Sequence, residues 1–157
     1  MSSPKKMGDL GPFQLASIDA DADRLASLRV LSNPDRLKLI RGLLTEVAVM
    51  CGCSDKIVRD IVLAVDEACQ NIIRHAYAGD LQQEIFLDFV RTSSSLVIYI
   101  FDFAEAVDIS KIRSRELDDL RPGGLGTHFI SECMDVSEYL SPPKGVGNVL
   151  RMEKIII

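Results

Sequence analysis

The chain has 157 residues, 47% hydrophobic and 26% charged, which fits one folded domain with its own apolar core and excludes a disordered or disulfide-stapled chain. A net charge of −5 argues against a general nucleic-acid surface, and it requires that any phosphate ligand be held by local groups. No apolar run approaches the ~20 residues that span a bilayer, and no signal-peptide core opens the chain, so a cytoplasmic protein is expected.

Residues 1–12 are small, polar and turn-rich, and read as a loose leader within a partly ordered stretch, 1–27. Phe13–Ile18 suits a short strand, 19–26 is ambiguous, and Leu28–Leu31 reads as the strand that enters a domain over 28–157. Ser32-Asn33-Pro34 combines capping side chains with a proline at the first helical position. From there Leu37, Ile40, Leu44, Val47 and Cys51 recur at spacings of three and four, which predicts an amphipathic helix. Cys51-Gly52-Cys53-Ser54 breaks it, and Ser54 caps a second helix, whose period runs from Ile57 to about Tyr77 before Ala78-Gly79-Asp80 ends it.

Residues 84–90 and 96–103 are strand-like and are joined by a polar loop, Arg91–Ser95, of hairpin length. Residues 104–122 are charged and aperiodic, and read as a long loop. Gly123-Gly124-Leu125-Gly126 then leads into a short helix carrying Phe129, Ile130, Cys133 and Met134. Val136–Ser141 and Asn148–Ile157 close the chain as two strands around the turn 142–147. Neighbouring strands with helices in separate runs predict an α+β fold, a two-layer sandwich with helices on one face of a mostly antiparallel sheet. Among the four cysteines, C-x-C without a second pair is a poor zinc pattern, and Cys69 and Cys133 read as buried free thiols.

Three features bear chemistry. Glu67, Asn71 and His75 fall at i, i+4 and i+8, and so lie near one another on one helix face. A carboxylate, an amide oxygen and an imidazole in a row suit metal binding and proton transfer, and equally suit a solvated face. The run Arg121-Pro122-Gly123-Gly124-Leu125-Gly126-Thr127 before a helix lets backbone N–H groups approach an anion, or is a plain flexible loop; it is not a Walker A sequence. Asp102 ends an apolar strand, where its carboxylate needs donors from a ligand or from the following loop.

The joint order of these features is specific. Residues 63–77, LAVDEACQNIIRHAY, closely resemble the E-A-x-x-N-x-x-x-H-A-Y helix of the anti-sigma-factor serine kinases, within the GHKL (histidine-kinase-like) ATPase superfamily. Asp102-Phe103-Ala104 sits where that family has D-x-G, and residues 115–126 resemble its R-x-L-D-D-x-R-P-G-G-L-G segment. The resemblance spans about residues 28–157 and implies a histidine-kinase-like ATPase fold that uses ATP and Mg²⁺. It implies Glu67 as the general base acting on a protein serine, Asn71 as the Mg²⁺ ligand and Asp102 as the acceptor for the adenine amino group. Residues 104–122 would be a lid, and Arg121, Gly123, Gly124, Gly126 and Thr127 would surround the triphosphate, with His75, Ala104 and Asn148 near the nucleotide. Two positions depart from the pattern: Ala104 replaces the glycine of D-x-G, where a left-handed backbone or a close approach is expected, and Asn148 replaces a threonine.

The implied activity is that of an anti-sigma factor that phosphorylates a STAS-type antagonist and sequesters a sigma factor, as a homodimer, with no direct nucleic-acid or membrane partner. Two other readings stand beside it. One is a catalytically weak, nucleotide-gated protein-binding module, which Ala104 favours; the other is a detached histidine-kinase catalytic domain.

Overall fold

Two runs, Glu84–Arg91 (β2) and Ser95–Asp102 (β3), carry apolar side chains to both faces, and such strands belong at the centre of a sheet. The computed structural model describes residues 22–107 and 125–157 and places them there. The five-stranded sheet has the order β1-β2-β3-β5-β4, with β1 at Asp23–Leu31, β4 at Val136–Leu140 and β5 at Asn148–Ile155. Every pairing is antiparallel, with Leu87 opposite Ile100 and Ile100 opposite Leu150. β1 begins at Asp23, so the sheet takes in the end of the stretch whose sequence is ambiguous. The strand expected at 13–18 and the leader before it lie outside the described residues.

The helices begin and end where their caps dictate. The Asn33 side chain accepts from the Asp35 amide, but the first turn, Pro34–Arg36, is a 3-10 turn that tightens into α1 only at Leu37–Met50. Gly52, at φ 81°, stops α1, and Ser54 Oγ accepts from the Ile57 amide at 3.3 Å to open α2, Asp55–Asn71. The predicted helix does reach Ala76, yet its last five residues form a π turn, Ile72–Ala76. Ala78 (φ 49°) and Gly79 (φ 81°) then turn the chain out. A third helix, α3, spans Leu125–Cys133.

Ile40, Leu44, Ile61 and Val65 from the helices meet Leu87, Phe89, Ile98 and Ile100 from one face of the sheet, all at 1% exposure or less, which places the main core between the two layers. Ile130, Cys133 and Met134 join this core as expected, whereas Phe129 does not: it is 43% exposed, because a nine-residue helix turns only one stripe inward. Cys69 is fully buried, and burial pushes its thiol well above the ordinary range. A smaller apolar cluster, centred on Phe86 and Phe101 in edge-to-face contact, lies on the opposite side of the sheet. No described helix is long and apolar enough to cross a membrane.

Candidate functional site

Side chains alternate between the faces of a strand, so Asp102 points to the helix-covered side with Ile98 and Ile100. The carboxylate is 5% exposed at the last residue of β3. Its Oδ1 accepts from the Asn148 amide nitrogen at 2.9 Å and from the Ala104 backbone N–H at 3.0 Å. Among the described residues no donor meets Oδ2, and that atom is not sealed from solvent. Burial pushes the Asp102 carboxyl above its usual value, partly opposed by these two hydrogen bonds. One oxygen is therefore anchored and the other is open to a ligand.

Tyr77 brings the end of the second helix to the same place. Its hydroxyl donates to the Glu84 carbonyl and accepts from the Phe103 N–H at 2.8 Å, and burial pushes its phenol up to about 12. The α2–π segment thus ends beside the exit of β3. Glu67 and Asn71 stand one α-helical turn apart, ~6 Å along the axis, on this approach. Both are half-buried, and neither has a hydrogen bond or ion pair among the described residues. The neighbouring Asp66 contrasts with them, since Arg41 and Gln70 hold it on the outer side as a link between α1 and α2. His75, the third member of the row, lies in the π turn and is exposed.

The first turn of α3 is the third part. Asp60 and Lys56, near the start of α2, lie close enough to Cys133 at the end of α3 to act on its thiol. α3 packs along α2 with Cys133 toward the start of α2, so the two run antiparallel and eight residues of equal rise carry Leu125 to about the level of Ala64–Ala68, beside Glu67. Arg121, Gly123 and Gly124, and the expected lid from residue 108 on, lie outside the described residues.

Gly147 is a member of the site that sequence reasoning passed over. Its N–H donates to the Asp102 carbonyl at 2.9 Å, and a Cβ there would stand 1.9 Å from the Ala104 carbonyl oxygen. Only a glycine admits that approach. Ala104 itself shows no positive φ, since Ala78 is the one described non-glycine residue that does, and its methyl packs on the helix-side core. The left-handed backbone anticipated for position 104 is therefore absent. Tyr77 was visible in the helix motif, but its role depends on a contact 26 residues away.

An antiparallel sheet under three helices, with an anchored carboxylate at a strand end and polar groups on the covering helix, defines a nucleotide-binding α+β domain of the histidine-kinase type. The family model described as "Histidine kinase-like ATPase domain" matches residues 30–154. The serine-protein kinase RsbW of Oceanobacillus iheyensis is 30% identical over 116 residues, 69% of this chain and 73% of its own length. RsbW of Bacillus subtilis strain 168 is 28% identical over 116 residues, 69% and 72% of the two chains. Two solved structures share the fold at 13% identity. The SiaB–SiaC complex of Pseudomonas aeruginosa matches with a TM-score of 0.58 over 85% of this chain and 89% of the other. The RsbU and RsbW domains of a Mycobacterium tuberculosis protein match with a TM-score of 0.57 over 84% of this chain and 32% of that one. The chain belongs to the histidine kinase-like ATPase family, in the group of the RsbW serine-protein kinases.

Proposed function

We propose that this protein is a Mg²⁺-ATP-dependent protein-serine kinase and anti-sigma factor, whose ATPase domain begins with β1 at Asp23 and not at the expected residue 28. It phosphorylates a STAS-type antagonist and sequesters a sigma factor, working in the cytoplasm as a homodimer. The observation that carries the reading is Glu67: a half-buried carboxylate, unengaged among the described residues, one helical turn from Asn71 on the helix that ends beside Asp102.

Phosphoryl transfer needs positioning and charge neutralisation more than covalent help from the protein. Asp102 Oδ2 accepts from the adenine amino group and sets the base. Arg121 and the backbone around Gly123, Gly124, Gly126 and Thr127 hold the triphosphate, where the N-terminus of α3 favours an anion. Glu67 takes the proton of the substrate serine as its oxygen bonds to the γ-phosphorus and the bond to ADP breaks. The Asn71 amide oxygen is a hard, neutral ligand, which fits Mg²⁺ that draws its other ligands from phosphates and water. That ion, when bound, neutralises charge on the phosphate oxygens.

The test is Glu67→Gln with γ-labelled ATP and STAS-domain antagonists of the same organism. Label transfer to serine falls ~10²–10⁴-fold while ATP affinity is retained, because Gln keeps the shape and loses the proton acceptor. Undiminished transfer removes Glu67 as the base and the reading with it.

A further inference from the structure

We propose that Asn148 is a positioning residue that orients Asp102 and ties the backbone of Glu105–Val107 to it, and that it does not itself contact nucleotide. This rests on the reading that Asp102 receives the base.

Asn148 is 5% exposed and stands directly opposite Asp102 in the β3–β5 register. One amide hydrogen goes to Asp102 Oδ1 (2.9 Å) and the other to the Glu105 carbonyl (3.2 Å), while its own oxygen accepts from the Val107 N–H at 2.8 Å. The three partners also fix which way the amide points. Turned over, its oxygen would face two acceptors and its NH₂ group would face a donor. Both hydrogens are spent on protein, so none is left for a base.

The geometry also explains the asymmetry of Asp102. Asn148 and the Ala104 amide together occupy Oδ1, which leaves Oδ2 as the ligand-facing atom. Gly147 completes the arrangement from below, donating to the Asp102 carbonyl and letting the Ala104 carbonyl lie against its Cα. Residues 102–107 are thus fastened to 147–148 by four hydrogen bonds, three of them made by one side chain. A threonine hydroxyl has one hydrogen and a shorter reach, and cannot make those three bonds at once.

The experiment uses the full chain and two variants, Asn148→Thr and Asn148→Ser, with two readouts. Without nucleotide, exchange of the Val107 amide hydrogen speeds up about tenfold, the usual worth of one lost hydrogen bond, while the unfolding transition stays cooperative. In titrations with ATP and with GTP, the preference for ATP falls about tenfold, because a freed Asp102 no longer presents Oδ2 alone. Unchanged Val107 exchange in both variants overturns the proposal. So does an ATP preference that survives in both while Asp102→Asn abolishes it, since Asp102 would then read the base unaided. If Asp102→Asn leaves the preference intact, the base-reading role assigned to Asp102 fails, and Asn148 as an orienter of base recognition fails with it. Val107 exchange then reports only whether the backbone tie exists.

Discussion

Asp102→Asn separates the stability of the site from its function, because the structure assigns the two carboxylate oxygens to different tasks. Oδ1 holds the hydrogen bonds from Asn148 and Ala104, and an asparagine oxygen in the same place keeps both. Oδ2, free among the described residues, becomes an NH₂ group, so an acceptor for the adenine amino group is replaced by a donor that opposes it. A hydrogen bond to a charged group contributes ~1.5–3 kcal/mol, which converts to roughly 10- to 150-fold weaker ATP binding. Stability moves the other way. Burial raises the folded-state pKa of Asp102, so in the window between the ordinary carboxylate value, ~3.9, and that raised value the folded chain binds more protons than the unfolded one. Stability from this group is present below the ordinary value and is lost as pH rises through the window. At neutral pH the ionised carboxylate is a cost that asparagine lacks. The variant should therefore match or exceed the parent in urea midpoint at pH 7, with the difference closing near pH 3, while calorimetric titration shows the loss of ATP affinity. Weakening of less than threefold, or a clear loss of stability at pH 7, refutes the assignment of the two oxygens.

Asn71→Ala should weaken Mg²⁺-ATP far more than metal-free ATP, since it deletes an oxygen ligand of a hard cation; equal losses in paired titrations exclude the metal role. Gly147→Ala places a methyl 1.9 Å from a backbone oxygen that is itself fastened down, and should lower Tm by roughly 3–10 °C in a thermal scan; an unchanged Tm means that residues 104–107 do not hold their place against β5. Ala104→Gly should leave ATP affinity within about twofold by calorimetry, because no left-handed strain exists to relieve, and should cost ~0.4–1 kcal/mol of stability through the freer unfolded chain.

What the sequence disclosed about the fold was whatever local chemistry determines. The caps at Asn33 and Ser54, the stop at Gly52 and the hairpin loop at 91–95 all fall where short-range hydrogen bonding or a left-handed glycine demands. The sheet order could not be read this way. β5 inserts between β3 and β4 because Tyr99 pairs with Arg151 and Glu138 with the other side of Arg151, and register across fifty residues leaves no local pattern. The π turn escaped for a related reason. Ile72 and Ile73 fit an α-helical period, and the wider turn shows only once Tyr77 is seen reaching Phe103 and Glu84. His75 falls within that π turn, where the α-helical i+4 arithmetic drawn through Glu67 and Asn71 no longer applies.

The site divides along the same line. Glu67, Asn71 and Asp102 were legible because their side chains are chemically expensive in partly buried places, and a motif order stood behind them. Position 104 was legible only as a departure, and of the two reasons for a glycine there the left-handed backbone is absent. In the structure the close approach that a glycine serves occurs between two segments, and the missing Cβ belongs to Gly147 on the facing strand rather than to residue 104. Alanine then fits at 104 with an ordinary backbone and a methyl packed on the core, so backbone strain at 104 lends no support to a catalytically weak module. The base pocket should accordingly be sensitive to what stands at 147 and 148, and comparatively indifferent to the choice between alanine and glycine at 104.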